Sequence, residues 1–177
     1  MLTVAIIGAG PLGRRLALAA AKGGHRVFLE DVMPSNLHHA QEYIRRQYGP
    51  DGAPAVAFVS TIEDAVREAD LVIDCVPDEL ESKLEIFCLL DRMAPPRTIL
   101  ATPTTRLSIA DLASCTYRAD RCVGLAVEAS TLAEDAAGEL LVRTPPQASA
   151  ETIQLVRKFW QDLGYAPRFE TDGGDVR

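Results

Sequence analysis

The chain has 177 residues, of which 47% are hydrophobic and 24% charged, and its formal net charge is −7. Because a domain takes roughly 150 residues, we predict a single domain over residues 1–177. The acidic balance argues against a nucleic-acid partner. No apolar stretch approaches the roughly 20 residues of a membrane span, and the apolar start lacks the basic flank of a signal peptide. We therefore expect a cytoplasmic protein without a membrane partner.

The cysteines and histidines give no pattern of metal ligands. None of the cysteines forms a C-x-x-C pair or has a histidine nearby, so we expect no metal site and reduced thiols. The cysteines are Cys75, Cys88, Cys115 and Cys122. All three histidines, His25, His38 and His39, precede Ala40.

Apolar runs alternate with helical patterns along the whole chain. The runs predict about eight strands, over residues 2–7, 25–30, 55–59, 71–76, 98–101, 122–127, 140–143 and 166–169. Helices are predicted over residues 11–22 and 36–48, from Ser60 to Arg67, from Leu80 to the proline pair at 95–96, from Ser108, and through 153–163. A turn cluster covers residues 49–54. The alternation predicts an α/β fold with a doubly wound sheet in which the first six strands are mostly parallel.

Ligands of such sheets bind beyond the carboxyl ends of the strands. Residues 8–13 read Gly-Ala-Gly-Pro-Leu-Gly, a G-x-G-x-x-G motif that follows a buried strand and opens a helix. Gly8 permits the tight turn, Gly10 lets a pyrophosphate approach the backbone, and Gly13 lets helix and strand pack closely. This context predicts a Rossmann dinucleotide site. FAD, S-adenosylmethionine and a purely structural turn stay open as alternatives.

An acidic pair, Glu30 and Asp31, ends the second predicted strand. A carboxylate at this position accepts hydrogen bonds from the adenosine ribose and repels a 2′-phosphate. The next three residues, 32–34, carry no basic side chain. We therefore predict NAD as the cofactor in preference to NADP.

Three blocks of sequence resemble the N-terminal NAD-binding domain of the 3-hydroxyacyl-CoA dehydrogenases. They are GAGPLGRRLA at 8–17, GHRVFLED at 24–31 and ADLVIDCVPDELESKLEIFCLLDRMAPPRTILAT at 69–102. The third block is similar to the family's A-D-x-V-I-E-A-V-P-E segment and to the helix and strand that follow it. The resemblance covers nearly the whole chain and implies a hydroxyacyl-CoA substrate and a role in fatty acid metabolism.

The resemblance also implies site residues. The pyrophosphate turn corresponds to Gly8, Gly10, Pro11, Leu12 and Gly13, and the ribose acid to Asp31. Cofactor-lining positions correspond to Cys75 and Val76, and the family's E-x-x-x-x-K pair to Asp78 and Lys83. A solvated helix face is the structural alternative for the last two.

The resemblance fails where the family carries its catalytic base. The family's catalytic His corresponds to Ala126, and the Glu that orients it corresponds to Leu141. The family's Asn in the loop after the fifth strand is also missing, although Thr105 could still bond the substrate. The second, helical domain has no counterpart in residues 170–177.

Two hypotheses about function follow from these departures. The first is an NAD(H)-binding domain that is not an autonomous dehydrogenase and acts as a sensor, a regulatory module or half of a split enzyme. The alternative is an active NAD-dependent oxidoreductase, acting on a hydroxyacyl-CoA or a hydroxyacid, with Thr105 and Glu128 facing the substrate or with a pocket completed by a partner. Besides NAD(H), the expected partners are a second copy of the chain or a separate helical domain. The sequence does not decide whether the chain is an enzyme.

Overall fold

A computed structural model of the chain describes residues 1–48, 55–132 and 138–172. Its strands are β1 (Thr3–Ile7), β2 (Arg26–Glu30), β3 (Val56–Val59), β4 (Leu71–Asp74), β5 (Ile99–Pro103), β6 (Cys122–Leu125), β7 (Glu139–Thr144) and β8 (Ala166–Thr171). They form one sheet in the order β3-β2-β1-β4-β5-β6-β7-β8. Strands β1 to β6 are parallel, whereas β7 runs antiparallel to β6 and parallel to β8. The predicted doubly wound α/β fold is confirmed.

Helices cover both faces of the sheet. They are α1 (Pro11–Lys22), α2 (Pro34–Tyr48), α3 (Ile62–Val66), α4 (Leu80–Met93), α5 (Ile109–Ser114) and α6 (Ala150–Asp162). One apolar core lies between the sheet and α1, α2 and α6, where Leu16, Ile44 and Trp160 are buried. The other lies between the sheet and α3, α4 and α5, around Phe87 and Leu112.

Several predicted boundaries differ from the structure. The cap of α3 is Thr61, whose hydroxyl accepts from the Asp64 amide at 3.2 Å, and not Ser60. Helix α2 begins at Pro34, because proline suits the first helical position. Strands β4 and β6 end earlier than predicted, at Asp74 and Leu125. The predicted turn cluster at 49–54 lies outside the described residues.

The strand order reverses at β1, which pairs with β2 on one side and β4 on the other. A crevice therefore opens at the carboxyl edge, between the loops that follow β1 and β4. The loops after β5 and β6 meet at the same edge. This edge is where the sequence places the candidate site.

Candidate functional site

A cavity of about 260 Å³ lies at the carboxyl edge of the sheet. It unites six of the predicted site residues, which come from the first turn of α1 and from the loops after β4, β5 and β6: Leu12, Cys75, Val76, Asp78, Thr105 and Glu128. Pro103, Thr104, Val127 and Ala129 complete the lining. The fold thus brings together residues that lie up to 117 positions apart, counting from Leu12 to Ala129.

The three glycines of the turn have different physical tasks. Gly8 has a φ of +101°, a conformation that favours glycine, and its amide donates to the Glu30 carbonyl oxygen at 2.8 Å. A Cβ atom on Gly13 would lie 1.8 Å from the Gly8 carbonyl oxygen, so no larger residue fits there. A Cβ on Gly10 would meet no described atom within 4 Å. Open space at Gly10 is what the approach of a pyrophosphate requires.

Helix α1 begins directly at this open side, with Pro11 in its first turn. Helical bonding starts where the Arg14 amide donates to the Gly10 carbonyl oxygen at 3.0 Å. The amides of Leu12 and Gly13 therefore have no acceptor within the helix. Such amides, together with the helix dipole, attract a phosphate.

The Asp31 carboxylate is fixed at the end of β2. Its Oδ2 accepts from the Ala9 amide at 2.8 Å and from Asn36 Nδ2 at 3.1 Å, and its Oδ1 accepts from the Met33 amide at 2.8 Å. A carboxylate can accept about four hydrogen bonds, so capacity for a ribose hydroxyl is left. This side chain also ties the glycine turn to the start of α2, a role that no pattern in the sequence indicates.

The neighbouring Glu30 has a different environment. Its side chain is buried, and its Oε1 has no hydrogen-bond partner among the described residues. Burial, with a smaller contribution from the charge of Asp31, raises the pKa of Glu30 to about 7. The two acids therefore differ in their partners: the Asp31 carboxylate accepts three hydrogen bonds, whereas Glu30 Oε1 accepts none from the described residues.

Lys83 pairs with Asp74 and not with Asp78, the other position of the family's E-x-x-x-x-K motif. Its Nζ donates to Asp74 Oδ1 at 2.7 Å, and the two side chains are 1% and 0% exposed. Burial raises the pKa of Asp74, and the Lys83 charge opposes that shift. Lys83 shares its helix face with Ile86, Phe87 and Leu90, all buried. That spacing turns Lys83 toward the sheet, so it lies behind the cavity wall and is absent from the lining.

Asp78 itself is on the cavity wall. Its backbone carbonyl oxygen accepts from Arg106 Nη2 at 3.0 Å, which holds the loop after β4 against the loop after β5. Its Oδ1 is buried and has no partner among the described residues. An acceptor of this kind suits a ligand hydroxyl, so the open turn at Gly10 and the carboxylates of Asp31 and Asp78 fit a dinucleotide.

The loop after β6 brings together the two positions that the resemblance assigns to a catalytic base and its orienting acid. The Ala126 amide donates to the Leu141 carbonyl oxygen at 3.0 Å. Because β6 ends at Leu125, the strand alternation that would place Glu128 beside Ala126 does not apply. Glu128 nevertheless lines the cavity, opposite Asp78 and Thr105.

All three histidines are away from this cavity. His25, only 1% exposed, precedes β2, and its Nδ1 accepts from the Leu2 amide at 3.2 Å, at the amino edge of the sheet. His38 and His39 lie on α2. The described residues contain no group of three or more His, Cys, Asp or Glu side chains arranged to hold a metal ion. None of the described helices is long and apolar enough to cross a membrane.

Comparison with known proteins agrees with this geometry. The family model "3-hydroxyacyl-CoA dehydrogenase, NAD binding domain" matches residues 3–167. The chain is 32% identical over 186 aligned positions to the mitochondrial hydroxyacyl-coenzyme A dehydrogenase of Sus scrofa, covering 93% of this chain and 57% of that protein. It is 30% identical over 135 positions to a probable 3-hydroxybutyryl-CoA dehydrogenase of Bacillus subtilis, covering 69% and 47%. The chain thus spans about half the length of these relatives.

A solved structure shows the same fold. The (S)-3-hydroxybutyryl-CoA dehydrogenase PaaH1 of Ralstonia eutropha superposes with a TM-score of 0.85 at 22% identity, over 98% of this chain and 65% of the other. With the family match over residues 3–167 and NAD as the family's cofactor, the resemblance read from the sequence is confirmed. The chain belongs to the family of 3-hydroxyacyl-CoA dehydrogenase NAD-binding domains.

Proposed function

We propose that this domain binds NAD(H) and does not by itself oxidise a hydroxyacyl substrate. The observation that carries the proposal is the backbone pair of Ala126 and Leu141, joined by a hydrogen bond of 3.0 Å. Resemblance assigns these positions to the family's base and to the acid that orients it. Neither side chain can take up a proton.

The chemistry of alcohol oxidation explains why the absence of a base at Ala126 and of an acid at Leu141 matters. Oxidation of a secondary alcohol sends a hydride to nicotinamide and releases the hydroxyl proton to a base. An imidazole whose pKa is tuned by a carboxylate suits that task. Neither His25, at the amino edge, nor the two histidines of α2 line the cavity.

The proposal that the domain binds NAD(H) rests on groups suited to the pyrophosphate, to the adenosine ribose and to the nicotinamide half. Gly8 and Gly13 shape the turn, Gly10 leaves the backbone open, and the first amides of α1 face the pyrophosphate. Asp31 binds the adenosine ribose, and Asp78 accepts from a hydroxyl of the nicotinamide half. Leu12, Cys75 and Val76 supply the apolar wall of the cavity. When bound, NAD supplies a hydride acceptor.

Isothermal titration of the chain with NAD⁺ and NADH tests this proposal. We expect saturable binding with a Kd in the micromolar to millimolar range, and no saturation at millimolar nucleotide would contradict it. A domain of this kind serves as a sensor, as a regulatory module, or as half of a hydroxyacyl-CoA dehydrogenase in fatty acid metabolism whose missing groups come from elsewhere.

A second candidate function is supported by the polar lining of the cavity. Thr105 and Glu128 line the same space as Asp78, so a substrate hydroxyl between them would find a hydrogen-bond partner and a carboxylate. In this alternative the domain oxidises a hydroxyacyl-CoA or a hydroxyacid, with Glu128 as the base or with a partner completing the pocket. Turnover that Glu128→Gln abolishes while NAD⁺ affinity is unchanged would favour it.

A further inference from the structure

Helices α1 and α2 are rich in basic residues although the protein is acidic. Together they hold five arginine and lysine residues and only one acidic residue, whereas the whole chain has a net charge of −7. The basic residues are Arg14, Arg15, Lys22, Arg45 and Arg46, and the acid is Glu42. Such a local excess of positive charge attracts anions to these helices.

A groove of about 280 Å³ lies between these helices. Its wall on α2 is a single stripe at positions i, i+3, i+4 and i+7, formed by His39, Glu42, Tyr43 and Arg46. Arg14, from the second turn of α1, forms the opposite wall. None of the glycines of the nucleotide turn lines the groove, so it is separate from the cavity at the carboxyl edge.

The Arg14 guanidinium is held in place without a carboxylate. It lies over the Tyr43 ring at 5.1 Å from the centroid. Its Nε is buried and has no hydrogen-bond partner among the described residues. Within the same part of the chain, Arg46 also forms no ion pair with an acidic residue. Two guanidinium groups with unused donors thus border one groove.

We propose that this groove binds a phosphate group between Arg14 and Arg46. The planar fork of an arginine matches two phosphate oxygens, and stacking on Tyr43 fixes the orientation of one fork before the ligand arrives. Glu42, whose Oε1 lies 3.6 Å from His38 Nε2, borders the groove and repels a bare anion. A phosphate monoester with a neighbouring hydroxyl can offer Glu42 a donor while its phosphate oxygens accept from the two arginines. This site is independent of the proposed binding of NAD(H).

The test is an NMR titration of the labelled chain with sodium phosphate and, in parallel, with ribose 5-phosphate, at constant ionic strength. We expect saturable shifts of the Arg14, His39, Tyr43 and Arg46 amides. Arg46→Gln is the main variant, because Arg46 is exposed and its loss leaves the core intact. It should weaken phosphate binding roughly tenfold and leave NADH affinity unchanged. Arg14→Gln should have the same effect on phosphate.

The matched control is Arg157→Gln. Arg157 also stacks on an aromatic ring, with its guanidinium 4.6 Å from the Phe169 centroid, but on α6. This variant should bind phosphate as the parent does. Tighter binding of ribose 5-phosphate than of orthophosphate identifies an ester as the ligand, and equal binding identifies free phosphate. Shifts that chloride reproduces, the absence of saturation, or equal weakening by Arg157→Gln would each overturn the proposal.

Discussion

The Ala126 amide donates to the Leu141 carbonyl oxygen at 3.0 Å, so the loop after β6 and the strand β7 hold these two residues side by side. The two positions that the resemblance assigns to an imidazole and its carboxylate partner are therefore backbone neighbours, and their side chains here are methyl and isobutyl. Their adjacency is a tertiary contact between residues fifteen positions apart, as their numbers show. The two positions, which are separate in the sequence, thus form one site in the structure.

Ala126→His combined with Leu141→Glu tests this adjacency directly. The introduced carboxylate should favour the charged imidazole and raise its pKa above that in the single variant Ala126→His, by about 0.5 to 1 unit. Because the residues are backbone neighbours, the ring and the carboxylate should form a hydrogen bond. NMR titration of the imidazole protons measures the pKa in both variants. Equal values in the two variants would show that the side chains do not meet.

Substitutions at Gly10 and Gly13 should have different effects, the first mainly on NAD⁺ affinity and the second mainly on stability. Gly10→Ala meets no described atom within 4 Å, so it should cost less than about 1 kcal/mol of unfolding free energy but weaken NAD⁺ binding at least tenfold. Gly13→Ala would bring a Cβ to 1.8 Å from the Gly8 carbonyl oxygen and should destabilise by more than about 2 kcal/mol. Urea denaturation and NAD⁺ titration of both variants measure the two effects. Equal stability of the two variants would contradict the assignment.

Asp31 should decide which dinucleotide is bound. Asp31→Arg removes the acceptor for the ribose hydroxyls and supplies a cation for a 2′-phosphate, so NAD⁺ affinity should fall and NADP⁺ affinity should rise. The variant also loses the bond from the Ala9 amide, so a modest loss of stability is expected. Asp31→Asn is the matched control, because it keeps an acceptor and adds no cation. Titration with both nucleotides gives the preference, and an unchanged preference in Asp31→Arg would disprove the ribose role.

Glu30 should make the stability depend on pH. Its pKa is about 7 in the folded chain against an ordinary value of 4.5. Between these values the folded state binds more protons than the unfolded state, so stability falls as the pH rises through this window. Glu30→Gln removes the ionisation and should stabilise the protein at pH 8 by about 1–3 kcal/mol relative to its effect at pH 4.5.

Denaturation with urea at pH 4.5 and pH 8 measures this difference. The exposed Glu170→Gln is the control for loss of a surface carboxylate, and the difference between the two pH values should be larger for Glu30→Gln than for this variant. A Glu30→Gln variant whose effect on stability does not depend on pH would show that folding does not raise the pKa of Glu30.

The buried pair of Asp74 and Lys83 gives a prediction about stability. Lys83→Met removes the partner of a carboxylate that is 0% exposed and should destabilise by about 3–5 kcal/mol. Adding Asp74→Leu removes the unpaired charge, so the double variant should recover most of the loss. Thermal and urea denaturation of the two variants measure the recovery. A double variant no more stable than Lys83→Met would show that the loss has another cause.

The sequence was sufficient to predict the fold and the glycine turn at residues 8–13, because both depend on local patterns. The helix over residues 11–22 has the predicted bounds, since Pro11 and Gly23 mark its ends. Lys83 could not be assigned from the family motif alone, since its partner Asp74 precedes the motif and their contact depends on how α4 packs on the sheet. The different environments of Glu30 and Asp31 likewise depend on tertiary contacts, since Asp31 bonds the glycine turn and the start of α2 whereas Glu30 is buried. The spacing of Lys83 with Ile86, Phe87 and Leu90 was a signal in the sequence that favoured burial.

A single-turnover experiment tests directly whether this domain oxidises a hydroxyacyl substrate. The chain, saturated with NAD⁺ as judged by titration, is mixed with an excess of 3-hydroxybutyryl-CoA, and absorbance at about 340 nm reports NADH formation. We expect NADH to form no faster than in the absence of protein, both with the parent chain and with Glu128→Gln. NADH formed by the parent chain in an amount equal to the bound NAD⁺ would contradict the claim that the domain lacks its own catalytic base.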